Sequence, residues 1–351
     1  MKFRLIAISF LASLVFFSCL EPYEFDSKEL PDVLVVDGTF TSQHDPHYVT
    51  LRKVSPYGEG PGEAVPFADL RLLNDLGEIG YYQEKEAGVY ALSPTQMTGE
   101  PGRTYTLEIT LVDGRVLLSK PQKMLARIEA DSAYHQFDKS DLRIFVDTPV
   151  PTDEDVFFRW SHDQVFSFVT QPCNPFGTVF TCYVYIDPIA QQFYTGSNRG
   201  LDIDHLLAKQ ILFDPDLSAK PIEFKNSHYY NVYQRRIDED AYNYWNQINQ
   251  TLNQQGTIFD PVPATVRGNM YFQEDVEELV LGYFEVSNID TVRTFVTNSE
   301  VDDNVNGFRN YCPAINSYSD YLFLIYTSNP PPDECCSCGL FDNQIERPDY
   351  F

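Results

Sequence analysis

A period-two alternation of apolar and polar residues constrains the fold of this chain more than any other sequence feature. In the stretch YTLEITL (105–111), the tyrosine, the leucines and the isoleucine fall on one face of a strand, and the threonines and glutamate fall on the other. Asp113-Gly114 follows, a dipeptide typical of a two-residue type I′ turn, and Arg115–Ser119 returns as a second strand. The pattern predicts a β-hairpin.

Further strand patterns surround this hairpin at short, regular spacing. Asp32–Phe40 is rich in β-branched residues, and both Tyr48–Val54 and Ala68–Leu72 alternate. Strands at this spacing, separated by turn residues, predict an immunoglobulin-like β-sandwich over residues 32–125. The fold class is therefore predicted to be mainly β.

Residues 126–327 predict a second β-rich domain with one prominent helix. Asp141–Val146 and Val156–Trp160 are strand patterns in its first part, and Leu279–Val286 and Tyr321–Tyr326 are strand patterns in its last part. The helix is predicted near residues 237–253, where apolar residues recur on one face at helical spacing: Ile237, Ala241, Tyr244, Trp245, Ile248 and Leu252.

The first 18 residues have the organisation of a signal peptide. Lys2 and Arg4 precede thirteen apolar or small residues, Leu5–Phe17, too few to span a membrane as a helix. Ser18-Cys19 then resembles a relaxed bacterial lipobox, which predicts cleavage before Cys19 and lipidation of that cysteine. Residues 19–31 would then be a lipidated linker. A plain secretory signal in which Cys19 is incidental is the alternative.

The charged residues indicate where the protein is located and which classes of partner it can bind. The acidic run of Glu21, Glu24 and Asp26 resembles the surface-export signal of lipoproteins in the Bacteroidota, which predicts an outer-membrane protein facing the cell exterior. Removal of residues 1–18 takes two basic residues from a chain of net charge −26 and leaves −28. Such a chain is repelled by phosphate backbones and anionic lipid, so we expect no nucleic-acid binding and membrane contact only through the lipid.

Six cysteines remain once Cys19 is set aside, and an even number in an exported protein predicts disulfides with fifteen possible connectivities. Two of them flank the turn-like NPFGTVFT, which favours a local pairing of Cys173 with Cys182. Cys312 is then expected to pair into the cluster of Cys335, Cys336 and Cys338, within a cysteine-rich tail over residues 328–351. A zinc site at this cluster is the alternative.

Catalytic signatures are absent from the sequence, which predicts a protein that is not an enzyme and uses no cofactor. His44 and His47 offer two imidazoles to a metal, but a polar loop between the first two strands is the favoured interpretation. Asp302, Asn304 and Asn306 copy the opening of a calcium loop, yet Pro313 stands where the bidentate glutamate belongs. An acidic turn is therefore expected there, and no metal site is predicted.

Acidic pairs and aromatic residues are further candidates for binding or catalytic groups. Glu274-Asp275 and Glu277-Glu278 match the two carboxylates of a glycosidase, but a chain with 51 acidic residues always contains such pairs. Six aromatic residues are expected either to form a sugar- or peptide-binding platform or to pack in the core: Tyr229, Tyr230, Tyr233, Tyr242, Tyr244 and Trp245. Core packing is favoured for Tyr244 and Trp245.

Four motifs in order resemble the lipoprotein family called domain of unknown function 4249, found in Bacteroidota. They are PGRTYTLEI (101–109), FFRW (157–160), the block from Glu239 to Asn269, and LGYFEVS (281–287). The resemblance runs from about Leu30 to Val296 and does not include the cysteine-rich tail. It implies an outer-membrane lipoprotein, often encoded beside a TonB-dependent receptor, and it implies no active site.

These observations together predict a non-enzymatic accessory or ligand-binding partner of a TonB-dependent receptor in nutrient uptake. An extracellular hydrolase acting on glycan or peptide is one alternative. A structural or adhesive surface lipoprotein is another, which the lack of internal repeats disfavours.

Overall fold

A computed structural model describes residues 33–55, 60–170, 178–186, 193–252, 265–305, 322 and 333–351. These residues are mainly β, which confirms the predicted fold class, and two α-helices accompany the strands. No helix within these ranges is long and apolar enough to cross a membrane.

The helices and strands follow the chain in this order: β1 (Leu34–Thr41), β2 (His47–Lys53), β3 (Asp69–Asn74), β4 (Ile79–Tyr81), β5 (Gln83–Glu86), β6 (Val89–Leu92), β7 (Thr104–Thr110), β8 (Val116–Ser119), β9 (Gln122–Lys123), β10 (Ser132–Asp138), β11 (Asp141–Pro149), β12 (Phe157–Val169), β13 (Thr181–Ile186), β14 (Tyr194–Ser197), β15 (His205–Asp214), β16 (Ser227–Ile237), α1 (Glu239–Leu252), β17 (Met270–Phe272), β18 (Val280–Thr297) and α2 (Asn298–Asn304).

One long strand joins the two halves of the molecule. The largest sheet has nine strands in the order β13-β12-β16-β18-β1-β2-β6-β5, with β14 beside β12. The first part of β18 pairs in parallel with β1, from Leu34 opposite Val280 to Thr41 opposite Ser287. The second part of β18 pairs antiparallel with β16, from Asn288 to Thr297. The early and late strands of the chain therefore form one continuous sheet.

Two smaller sheets pack on this large sheet and enclose separate hydrophobic cores. The first core lies against the six-stranded sheet β17-β8-β7-β3-β4 with β9, and the second lies against the three-stranded sheet β10-β11-β15. Phe284 and Val286 of β18 belong to the first core, while Val292 and Val296 belong to the second. Because alternate strand residues share a face, both cores lie on the same face of the large sheet, which we call the core face.

The predicted boundary at residue 125 does not divide these cores. Met270 and Phe272 of β17 pack in the first core, and β17 pairs with β8. An isolated 32–125 segment would lack β18, which covers one edge of β1. The sandwich predicted for residues 32–125 is thus completed by strands that lie in the predicted second domain.

The predicted hairpin at residues 105–119 is present, with a different turn. β7 pairs with β8, and the Leu111 N–H donates to the Arg115 carbonyl at 2.9 Å. The Gly114 N–H donates to the Leu111 carbonyl at 2.9 Å, and Gly114 has φ of +90°, whereas Asp113 has no positive φ. The loop therefore has three residues with glycine in the left-handed region, because a type I′ turn would need positive φ at two positions.

The predicted helix is α1, and it begins two residues later than expected. Ile237 is the last residue of β16, and the Asp238 carboxylate accepts a 2.8 Å hydrogen bond from the Ala241 N–H in the first turn. Tyr244 and Ala241 pack against Phe157 of the large sheet, on the face opposite the two cores. We call this opposite side the outer face; α1 covers part of it.

The C-terminal tail crosses the edge of the large sheet. Cys338 is disulfide-bonded to Cys182 of β13, so the expected pairing of Cys173 with Cys182 is wrong. The physical reason is that residues 343–345 lie along β13, with the Ile345 N–H donating to the Tyr183 carbonyl at 3.0 Å. This contact brings the tail, 156 residues away in sequence, next to Cys182.

Candidate functional site

A buried ion pair lies at the centre of the outer face, where α1 meets the sheet. Arg159 of β12 donates two hydrogen bonds to Glu285 of β18, at 2.8 Å from Nε and 3.0 Å from Nη2. Only 11% of the Arg159 side chain and 1% of the Glu285 side chain are accessible to solvent. A bidentate arginine–carboxylate pair of this kind is the strong form of the interaction.

Two further donors occupy the remaining acceptor sites of Glu285. The indole Nε1–H of Trp245 in α1 donates at 2.8 Å, and the Ser287 hydroxyl donates at 2.8 Å. Burial would raise the pKa of Glu285, but the charge and hydrogen bonds of Arg159 outweigh it and hold that pKa below its usual value. Glu285 is therefore an ionised carboxylate with its hydrogen-bonding capacity filled.

A second arginine reaches the same carboxylate but does not hydrogen-bond to it. Arg235 of β16 has its Nε 3.9 Å from Glu285 Oε1, and its Nη1 donates to the Ser161 hydroxyl at 2.5 Å. Among the described residues, no acceptor lies within hydrogen-bond distance of the buried Nε. Burial, reinforced by the charge of Arg159, lowers the pKa of Arg235 to about 10. The cluster thus has two cations for one anion.

Arg235 forms part of the wall of a cleft of about 300 Å³. The cleft lies beside the β1–β2 connection, and its lining combines charged, hydroxyl and apolar side chains, among them Asp37, Asp45, His47, Tyr48, Arg235 and Ile289. Its volume is at the lower end of the range for small-molecule sites. The arrangement can therefore hold a small ligand next to an arginine.

Asp37 supplies a negative charge to the same cleft. Partial desolvation raises the pKa of its carboxyl group, Arg159 lowers it and Glu285 raises it again, and the net shift is upward although the residue is exposed at the surface. Asp37 lies on β1 opposite Tyr283 of β18, while Arg235 lies opposite Ile289. No ion pair joins Asp37 to Arg235 in the described part of the chain. The cleft thus has separate acidic and basic groups.

Another polar network occupies the outer face towards the C-terminal tail. Asp163 accepts hydrogen bonds from Asn231 and from the Tyr233 hydroxyl, both at 2.6 Å. Tyr350 of the tail accepts a hydrogen bond from Asn231 at 3.2 Å, and its ring lies under Arg293. This part of the outer face is already covered by the chain itself.

The candidate aromatic residues lie in different environments. Tyr244 and Trp245 pack against the sheet from α1, as the core interpretation predicts, and Trp245 also contacts Arg159 at 4.4 Å. Tyr230 is buried in the second core. Tyr229 contacts the tail residue Phe351, with ring centroids 4.3 Å apart and the rings tilted by 51°. These aromatic residues therefore do not form one platform.

His44 and His47 lie in different surroundings. His44 is exposed in the loop between β1 and β2, as the polar-loop interpretation predicts. His47 is buried in β2 with its ring 4.6 Å from that of Phe40, and burial lowers its pKa to about 4. The described residues contain no group of three or more histidine, cysteine or acidic side chains able to hold a metal.

The segment considered for calcium is helical where it is described. Asp302 and Asn304 lie in α2, and the Asn304 amide donates to the Glu300 carbonyl at 2.8 Å. Asn306 lies outside the described residues. A calcium loop needs an irregular backbone that turns alternate side chains inward, whereas a helix directs positions two apart to different sides. The acidic pairs at 274–275 and 277–278 lie in the connection between β17 and β18.

Two more cysteines of the tail, Cys335 and Cys336, are disulfide-bonded like Cys338, which agrees with the disulfide interpretation rather than zinc. Cys173 and Cys312 lie outside the described residues, and so does Cys19, the predicted lipidation site.

Comparison with protein families gives one match, to the model described as Domain of unknown function (DUF4249), over residues 20–293. The match covers most of the chain. The chain belongs to the DUF4249 family. No curated protein matches it.

Two solved structures are weakly similar to this DUF4249 chain. A DUF4785 family protein from Legionella pneumophila subsp. pneumophila str. Philadelphia 1 is 10% identical with a TM-score of 0.19, covering 58% of this chain and 52% of that one. A putative carbohydrate binding protein from Bacteroides uniformis ATCC 8492 is 9% identical with a TM-score of 0.16, covering 60% and 91%. The chain thus spans about half the length of the first, and likenesses this weak support no inference.

The motifs that resemble DUF4249 meet at the ion pair. Arg159 comes from FFRW, Glu285 comes from LGYFEVS, and Trp245 comes from the helical block that begins at Glu239. Sequence reasoning missed these residues as a site. The available signal was the single charged residue in each of the apolar motifs FFRW (157–160) and LGYFEVS (281–287), since a buried charge needs a partner.

Proposed function

We propose that this protein is a non-enzymatic, lipid-anchored ligand-binding protein of the outer membrane that acts with a TonB-dependent receptor in nutrient uptake. The observation that carries the binding function is the cleft, whose wall contains the Arg235 side chain together with the carboxylates of Asp37 and Asp45. An arginine in the wall of a cleft is a suitable partner for a carboxylate of a ligand. Its placement beside a rigid, fully bonded ion pair favours binding without rearrangement.

The membrane anchor is supported by the sequence. A positive start, a thirteen-residue apolar core and Ser18-Cys19 favour lipidation at Cys19. Attached acyl chains contribute roughly 0.8 kcal/mol per buried methylene, so two or more chains hold a protein on a membrane stably. The acidic residues after Cys19 favour export to the cell exterior, and the family resemblance favours a TonB-dependent receptor nearby.

The anchor is tested by changing Cys19 to Ser and separating membrane from soluble fractions. We expect the variant to be unprocessed or released, since the acyl chains are the only proposed membrane contact. A variant that is processed normally and stays in the outer-membrane fraction would contradict the lipoprotein proposal.

The receptor partnership is tested by affinity purification from native membranes in mild detergent. We expect the protein to co-purify with a large outer-membrane barrel. A second variant tests surface export by replacing Glu21, Glu24 and Asp26 by Ala while keeping Cys19. This variant should stay bound to the membrane and should be less accessible to protease added to whole cells. Recovery of no barrel, together with measurable hydrolysis of a glycan or peptide, would favour the hydrolase alternative instead.

A further inference from the structure

The hydrogen bonds of Glu285 explain why Arg235 is available to a ligand. Arg159, Trp245 and Ser287 together donate four hydrogen bonds to this carboxylate. A carboxylate has about four lone-pair sites, so no good site remains for Arg235 at 3.9 Å. Arg235 is therefore a cation beside a cleft whose nearest anion is already neutralised by another arginine.

The guanidinium group of Arg235 selects the chemistry of the group it would bind. Its planar fork matches a carboxylate, which accepts two parallel hydrogen bonds from it. The side chain is 15% accessible, and it is held in place by Ser161 at 2.5 Å. A carboxylate in the cleft would accept a hydrogen bond from the part of the Arg235 side chain that lines it.

The acidic residues of the cleft argue against a simple anion as the ligand. Asp37 and Asp45 line the same cleft as Arg235, so the charged side chains there do not favour a net negative ligand. The chain as a whole has a net charge of −26, which repels anions at long range. A ligand with one negative and one positive group avoids both penalties.

We propose that the cleft binds an amino acid or short peptide with free termini, its carboxylate on Arg235 and its ammonium group on Asp37. The inference rests on the proposed ligand-binding function and names its ligand class. Asp37 and Arg235 are not within ion-pair distance of each other among the described contacts, so the ligand spans the space between them. The cleft volume of about 300 Å³ suits a ligand of a few residues at most.

The first arm of the test uses blocked ligands on the full-length protein purified in mild detergent. The probes are L-alanine, di-L-alanine and tri-L-alanine, and for each an N-acetylated form without the ammonium group and an amide form without the carboxylate. We expect the free form of one length to bind in calorimetry and each blocked form to bind about tenfold more weakly or worse, because a charge-assisted hydrogen bond is lost. The length that binds best reports the spacing between the two groups.

The second arm assigns each charge to its residue. Arg235→Gln should weaken the binding of the free peptide about tenfold or more. The free peptide and its amide form should then bind with the same affinity. Asp37→Asn should remove the advantage over the acetylated form. The matched control is Arg236→Gln, the next residue of β16, which bonds to Glu154 and to the Ala126 carbonyl and should leave all affinities unchanged.

A folding control separates binding from stability. Arg235→Gln without ligand should keep the wild-type circular dichroism spectrum and a cooperative melting transition. A lower melting temperature together with unchanged peptide affinity would identify Arg235 as structural and overturn the inference.

The outcomes distinguish this inference from the proposed function. Equal binding of free and blocked probes, or no binding of any probe, overturns the peptide inference, while co-purification with a receptor would still support the partnership. If the protein binds free peptides but no receptor co-purifies with it, the result supports the peptide inference and contradicts the receptor partnership.

Discussion

Phe284 and Glu285 are neighbours in β18, almost equally buried, and they face opposite sides of one sheet. Phe284 packs in the first core among apolar side chains, whereas Glu285 is bonded to Arg159 and Trp245 on the outer face. Burial alone therefore does not separate core from site in this molecule. The core face is stabilised by removal of apolar area from water, and the outer face depends on each buried charge having a partner.

The largest expected effect is on the core face. Phe284→Ala should lower the free energy of unfolding by about 3–5 kcal/mol, because it removes a fully buried ring and leaves a cavity. Urea denaturation measures it. Phe295→Ala is the matched control: it lies on the outer face of the same strand with 48% of its surface exposed, and should cost about 1 kcal/mol or less. Similar losses for the two variants would contradict the assignment of faces.

The outer face should be nearly as sensitive, for an electrostatic reason. Glu285→Gln leaves Arg159 buried without its neutralising anion and should cost about 3 kcal/mol or more. Glu277→Gln is the control, since 87% of that side chain is exposed and its loss should be within about 0.5 kcal/mol. If both variants unfold at the wild-type urea concentration, the ion pair does not contribute to folding.

The tail connects the two faces at the sheet edge, and its disulfide gives an intermediate effect. Replacing Cys182 and Cys338 together by Ala should lower the free energy of unfolding by about 2–4 kcal/mol, because the bond closes a long loop in the unfolded chain. Asp342→Asn, at an exposed position of the same tail, serves as the control. Unfolding is followed by circular dichroism under non-reducing conditions. A double variant as stable as the wild type would show that the tail is held by other contacts.

The smallest effect concerns His47, which packs on Phe40 of the core face and also lines the cleft. Its pKa is about 4 in the folded protein against 6.5 ordinarily, so only the unfolded chain binds the proton between these values. Stability should therefore fall as the pH falls from about 6.5 to about 4. Between pH 7 and pH 5 the wild type should lose about 1–2 kcal/mol more than His47→Phe. Parallel pH dependences of the two proteins would contradict the lowered pKa.

Local patterns predicted the local structure well. The alternation at 105–111 predicted β7 and which of its side chains are buried, and the apolar spacing after Asp238 predicted α1. The turn at Asp113-Gly114 was assigned one residue too short, because the dipeptide is compatible with glycine at the end of a three-residue loop as well as with a type I′ turn.

Long-range pairings could not be predicted in the same way. β1 pairs with β18 across about 250 residues, and its own pattern states only that it is a strand. The partner of Arg159 lies 126 residues away, and that of Cys182 lies 156 residues away. Sequence spacing holds no information on such contacts, since they depend on which strands become neighbours. The candidate site was missed for this reason.

The parallel pairing of β1 with β18 has a mechanical consequence. β1 is the first described strand after the predicted anchor, and it is hydrogen-bonded on both sides, to β18 and to β2. Tension along its axis at Leu34 loads these rows of hydrogen bonds in shear, so many bonds share the force at once. When force is applied at its amino-terminal end, the protein should therefore resist unfolding strongly. A tether at that end can transmit force without separating the strands one hydrogen bond at a time.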